Sequence, residues 1–195
     1  PIPSTPYEKA YCLKGEYRNL TSGACVKAPL GHLASLGATD PTECTPGTHA
    51  DVIGLLTCKL CPAGKYMDNR QAIVCKNCTI GDYCLEGATG GTVCLPGTVR
   101  LTPGAAKPEA CDPAPLGHYG VGGLPVPCPN GTYQDQMGAD SEQDCNKCPQ
   151  FSTTFDIART DITDCLCVRG FIEVMTPGVG AGRECLCDKG EGIVT

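Results

Sequence analysis

Cysteine is the residue best placed to do chemistry in this sequence, with 17 among 195 residues against five serines and three histidines. Thiolates at CxxC spacing bind zinc or exchange disulfides, and three such pairs occur: Cys58/Cys61, Cys75/Cys78 and Cys145/Cys148. The first two stand thirteen residues apart, close to zinc-ribbon spacing. The same cysteines, however, belong to a repeat that continues without paired CxxC partners. A disulfide framework is therefore the stronger reading, and no metal or cofactor is expected. A redox CxxC needs a thioredoxin-like βαβ pattern, which the chain lacks. No G-x-S-x-G stands among the serines to build a Ser/His/Asp apparatus. His32 and His118 fall on one repeat position, held by Asp82 in the middle copy, which marks them as surface or packing residues. Asp135, Asp140, Glu142 and Asp144 cluster without EF-hand spacing and read as a solvated acidic face rather than a calcium site. No catalytic residue emerges, and the chain reads as a non-enzyme.

Composition supports that reading. Leu, Ile, Val and Phe number 37, whereas Gly and Pro number 42, with three Phe and no Trp. So little large apolar side chain cannot fill an ordinary core for a chain of this length, and covalent bridges must replace it. The net charge of −6, with no basic run, excludes a nucleic-acid or anionic-membrane footprint. The most apolar stretch, Val52 to Leu56, is far too short to span a bilayer. Of five Asn residues, three lie in N-x-[ST] acceptors, at Asn19, Asn77 and Asn130. Dense cysteine and sequons together place the chain on the secretory route, outside the cell or on its surface. Asn77 is the least favourable acceptor, since its sequon contains Cys78.

The elements that carry these cysteines are repeats. A C-x-x-G-x-(Tyr/His/Val) pattern recurs from Cys12, Cys44, Cys61, Cys78, Cys94 and Cys128. It predicts a tight turn, with Gly at positive φ, followed by a short strand whose aromatic lies over a neighbouring disulfide. A longer repeat encloses it, because Cys25, Gly31, Cys44 and Gly47 return as Cys75, Gly81, Cys94 and Gly97. Ala28 to His32 also return letter for letter as Ala114 to His118.

Comparing the long units yields a bridge. Cys78 and Cys84 stand where Ala28 and Ala34 stand in one copy and Ala114 and Gly120 in another; both cysteines appear together and vanish together. Pairing them leaves nearest-neighbour closure for the rest: Cys12 with Cys25, Cys44 with Cys58, Cys61 with Cys75, Cys94 with Cys111, Cys128 with Cys145, Cys148 with Cys165, and Cys167 with Cys185. Cys187 remains, with a partner expected beyond Thr195. In the chain-entropy description each loop of this size contributes about 3 kcal/mol.

The expected fold is small and disulfide-rich: tandem short β-hairpin and turn modules forming an elongated rod, with little helix and no continuous hydrophobic core. The segments are 1–11 as an N-terminal leader, 12–147 as C-x-x-G-x-Y modules, 148–187 as C-x-C modules, and 188–195 as the start of a truncated module. Leu101 to Pro108 reads as an exposed connection. Leu30, Leu33, Leu36, Leu55 and Leu56 form either an exposed strip for partners or packing between modules.

The recurring Cys-Pro-x-Gly-(Thr/Lys)-Tyr followed by CxxC, best seen at Cys61 to Cys78 and Cys128 to Cys148, resembles the ephrin-receptor-like cysteine-rich repeat. That repeat is a relative of tumour-necrosis-factor-receptor modules and of the growth-factor-receptor cysteine-rich class. Ser152 to Phe171 looks like the unit that often ends such arrays. The resemblance implies disulfide-laddered rods in large surface or secreted proteins, including many of unicellular eukaryotes. Cys25 and Cys111 depart from it by lacking the second cysteine of a CxxC. The function expected is an extracellular structural or adhesive segment that spaces or assembles a surface or filamentous protein. Its partners would be other proteins, through self-assembly or neighbouring surface proteins, with N-glycans and without nucleic acid or membrane contact. A receptor-type ectodomain binding a protein ligand is the alternative.

Overall fold

The structure, a computed structural model, describes residues 11–175 and 183–187. Each module opens with a turn. In the module opening at Cys44, the Thr48 N–H donates to Thr45 O at 3.1 Å, with Pro46 and Gly47 (φ 82°) at the corners. Proline before a positive-φ glycine suits a type II turn, and Pro96 with Gly97 repeats it. A short strand follows, and the chain loops back to pair with it. Every sheet among the described residues is such a two-stranded pair.

The chain divides into two compact units, Pro1–Thr92 with Thr102–Ala110, and Val93–Leu101 with Cys111–Thr195. In the first, the antiparallel hairpins join Glu16–Arg18 to Cys25–Lys27, His32–Leu33 to Thr42–Glu43, Thr48–His49 to Lys59–Leu60, and Lys65–Tyr66 to Lys76–Asn77. In the second they join Thr98–Val99 to Asp112–Pro113, His118–Val121 to Leu124–Pro127, Thr132–Tyr133 to Asn146–Lys147, Ser152–Thr153 to Leu166–Cys167, and Phe171–Met175 to Arg183–Cys187.

Modules are joined by a regular backbone ladder. In the first unit the turn glycine donates to the seventh residue of the next module: Gly15 to Ala34 O (2.9 Å), Gly31 to Ala50 O (3.0 Å), Gly47 to Met67 O (2.8 Å) and Gly64 to Cys84 O (2.8 Å). The opening residue of the next module answers by donating to the glycine carbonyl, as Ala28 does to Gly15 O and Cys44 to Gly31 O, both at 2.9 Å. The second unit repeats the rule, with Gly97 to Gly120 O, Gly117 to Gln134 O, Ala114 to Gly97 O and Cys128 to Gly117 O. Ala28 and Ala114 show that a module needs no opening cysteine to keep its place in the ladder.

The interior follows the same period. Opening, fourth and seventh residues are buried in the modules at Ala28, Cys44, Cys61, Cys78 and Ala114. These residues are cysteine, alanine, glycine and one methionine, so a narrow stripe of small side chains stands where a large apolar core would be. The strand aromatics Tyr17, Tyr66, Tyr83, Tyr119 and Tyr133 are only half-buried. Across Tyr66 lies the Lys76 ammonium, 5.7 Å from the ring centroid.

Among the described residues helix is confined to three single 3₁₀ turns, Pro108–Ala110, Glu142–Asp144 and Ile162–Asp164. The last lies in a stretch whose sequence lacks helical periodicity, and a cap explains it. Asp161 accepts from the Thr163 N–H (2.7 Å), while Asp164 accepts from the Thr160 and Asp161 N–H groups (3.2 Å each). The expected connection from Leu101 to Pro108 is exposed except at Ala105 and Ala106, and its middle is anchored by backbone bonds. Gly104 N donates to Cys78 O and Cys84 N to Ala105 O, both at 2.9 Å, and Ala105 is buried. The expected leader, apart from exposed Tyr11, and the expected start of a module at 188–195 lie outside the described residues.

Candidate functional site

The chemistry of this chain resides in its sulfur atoms. The structure joins Cys12–Cys25, Cys44–Cys58, Cys61–Cys75, Cys78–Cys84, Cys94–Cys111, Cys128–Cys145, Cys148–Cys165 and Cys167–Cys185. Cα separations run from 5.4 to 6.0 Å, within the range a bridge requires. Most bridges tie a buried opening cysteine to one at the start of, or just before, the returning strand of the same module. The covalent bond therefore crosses each hairpin at its base. Cys78–Cys84 instead spans only the turn and first strand. Cys187 faces Phe171 across the last hairpin, and its side chain lies outside the described residues.

These bridges decide the zinc reading. Cys58, Cys61, Cys75 and Cys78 belong to three different disulfides. The ligand atoms of His49, Cys61 and Cys75 come within 4.8 Å of one another, and His49 Nδ1 lies 3.3 Å from Cys75 Sγ. Both sulfurs are bonded to each other and offer no thiolate to a metal. His32 Nδ1 and His118 Nδ1 each donate to a carbonyl two residues back, Leu30 O and Leu116 O, at 3.0 Å. A carbonyl only accepts, so Nδ1 carries the proton in both copies. Each ring is thereby held against its own turn.

The acidic residues serve local structure. Asp144 accepts from the N–H groups of Asp140 (2.8 Å) and Ser141 (3.1 Å), which hold its carboxyl below the usual carboxylate range. Asp135 accepts from Asn146 Nδ2 at 3.1 Å. Two earlier modules carry matching ion pairs, Lys59 to Asp51 (2.6 Å) and Lys76 to Asp68 (2.7 Å). In each, the hydrogen bond from lysine lowers the aspartate pKa. All four side chains are nearly half exposed, so these pairs set loop geometry more than stability. Burial, with Asp135 and Asp161 nearby, raises the Tyr133 phenol.

Of the sequon asparagines, Asn77 and Asn130 are exposed. Asn19 is half-buried, and its Oδ1 accepts from the Thr21 N–H (2.9 Å) and Ser22 N–H (3.1 Å). The leucines divide between the two expected roles. Leu33 and Leu55 pair across adjacent modules and are half-buried, whereas Leu30, Leu36 and Leu56 are exposed. Sequence reading missed the residues that cover the turn glycines. A Cβ on Gly15 would meet Gly54 O, one on Gly31 would meet Gln71 O, and one on Gly117 would meet Ala158 O. Gly54, Gln71 and Ala158 all have positive φ, and the signal was a second glycine about ten residues into most modules.

Comparison with known proteins agrees with this geometry. Residues 117–165 match the family described as tyrosine-protein kinase ephrin type A/B receptor-like. The chain is 32% identical over 182 residues to the sushi, von Willebrand factor type A, EGF and pentraxin domain-containing protein 1 of Rattus norvegicus. That alignment covers 81% of this chain and 5% of the relative; the Mus musculus protein of the same name is 31% identical over the same shares. Thyroglobulin of Rattus norvegicus is 34% identical over 73 residues, 37% of this chain and 2% of the relative. The chain thus spans about a twentieth of the length of the first two relatives. No helix among the described residues is long and apolar enough to cross a membrane. Eight disulfides and ten two-stranded sheets among the described residues, with a matching repeat, lead to one assignment: this is an extracellular cysteine-rich chain that contains an ephrin-receptor-like repeat at residues 117–165.

Proposed function

We propose that this segment is a non-enzymatic structural or adhesive spacer, a disulfide-laddered rod that separates or assembles other parts of a surface or filamentous protein. The observation that carries the reading is the ladder in which, within each compact unit, turn glycines and opening residues bond to the adjoining module. Contacts limited to near neighbours give quasi-one-dimensional stability and length that grows with module number. The name shared by the first two relatives describes a multidomain protein, and a segment with 5% of its length suits a place between domains. Residues 12–147 act as one class of module and 148–187 as the C-x-C class. Partners are proteins, either further copies or neighbours on the surface, and Asn19, Asn77 and Asn130 carry N-glycans. Nucleic acid and membrane have no part in it.

Small-angle scattering of the deglycosylated chain tests the reading. A compact chain of this length has a radius of gyration of roughly 16 Å. The rod predicts a clearly larger value with a long tail in the pair-distance distribution, and a value near the compact one overturns it.

A further inference from the structure

The module opening at Cys128 departs from its neighbours at two linked places. Its seventh residue, small or apolar in the modules opening at Ala28, Cys44, Cys61, Cys78 and Ala114, is Gln134, only 4% exposed. Gln134 Nε2 donates to Asp144 O at 2.7 Å, and its Oε1 accepts from the Gln136 N–H at 3.0 Å. Where two earlier modules set a lysine against an aspartate, this one sets Asn146 against Asp135. An amide has replaced an ammonium, and another amide has replaced a core methyl. The loop that closes over them forms an open concavity of about 450 Å³, lined by Gln134, Gln136, Met137, Gln143, Asp144 and Asn146.

We infer that this concavity binds a neutral oligosaccharide. Its floor is rigid, because Gln134 is buried and doubly hydrogen-bonded and the Asp144 carboxylate is held by two backbone N–H groups. Its rim is adaptable, because the Gln136 and Gln143 side chains are exposed and have no partner among the described residues. A side-chain amide offers one acceptor and two donors without charge, which complements hydroxyls that both donate and accept. Met137, 68% exposed, gives the C–H face of a sugar ring an apolar surface. Asp144 in the lining and Asp135, Asp140 and Glu142 in the same stretch of chain disfavour anionic sugars. Asp135 and Asp144 are already engaged, so the site is not built for a cation.

The test uses the full chain with its own N-glycans removed, applied to an array of neutral and sialylated oligosaccharides and followed by titration of the best neutral binder. Binding with Kd of about 1 mM or tighter is expected for neutral sugars. The double substitution Gln136→Ala and Gln143→Ala should weaken it at least about tenfold, the loss expected for two hydrogen bonds, with unchanged thermal unfolding. Should that variant melt early, Gln143→Glu alone keeps the side-chain shape, adds charge, and should give a loss in the same direction. No binding at about 10 mM, equal binding of sialylated sugars, or full binding by a folded variant would each overturn the inference.

Discussion

Glycine at the fourth place of most modules answers two constraints that a sequence displays as one letter. The turn requires positive φ, which any L side chain adopts at a cost of about 1–2 kcal/mol. The second constraint is space, since a Cβ on Gly64 would lie 2.6 Å from Gly104 O, whereas one on Gly131 meets nothing nearer than Thr153 Oγ1 at 3.5 Å. Gly64→Ala should therefore unfold at a distinctly lower temperature than Gly131→Ala, although both carry the same backbone strain. Equal melting temperatures would show that the close approach is without consequence. Phe151 supports the argument from the other side. It occupies the glycine place with φ 64° and stacks on Phe171 at 4.4 Å, where the modules of Gly15, Gly31, Gly47, Gly64, Gly97 and Gly117 bring in a backbone carbonyl. At Gly117 the same side chain would collide with Ala158.

A module is a turn and two short strands, with a cross-link in all but those opening at Ala28 and Ala114, and its parts are separable. Cys78 and Cys84 stand where Ala28 and Ala34 stand, yet all four are fully buried in equivalent places. Alanine at both sites is thus compatible with the module backbone. Cys78→Ala with Cys84→Ala should fold, keep the other seven bridges, and lose about 2 kcal/mol, the entropy of so short a closed loop. Peptide mapping without reduction and denaturant unfolding check this. Rearranged bridges elsewhere would show that Cys78–Cys84 directs the pairing of its neighbours. The bridge itself was legible because two copies lacking both cysteines stood beside the copy that has them. The 3₁₀ turns were not legible from hydrophobic period, since a single capped turn is too short to display one.

Stability in the whole molecule should be local. Within each compact unit the modules bond to their neighbours, and among the described residues no large apolar core couples distant ones. Removing the last complete bridge of the matched repeat, by Cys148→Ala with Cys165→Ala, should raise amide exchange between about residues 128 and 175. Protection around Gly15, Gly31 and Gly47 should persist, as expected of separate cooperative units. Uniform loss of protection would indicate one cooperative domain instead. The sequence by itself determined the class of this protein: cysteine density, repeated turn signatures and scarce large side chains leave disulfide modules as the only way to offset chain entropy. Periodicity of cysteine and glycine is a property of letters, so comparing copies exposed it. Tertiary structure alone decided what holds adjoining modules together. Those bonds run between backbone groups, which all residues but proline carry alike, and no pattern of side chains announces them. It also decided that Gln134 and Asn146 enclose a polar concavity, because that depends on a loop closing over an amide that the chain lists merely as one more polar residue.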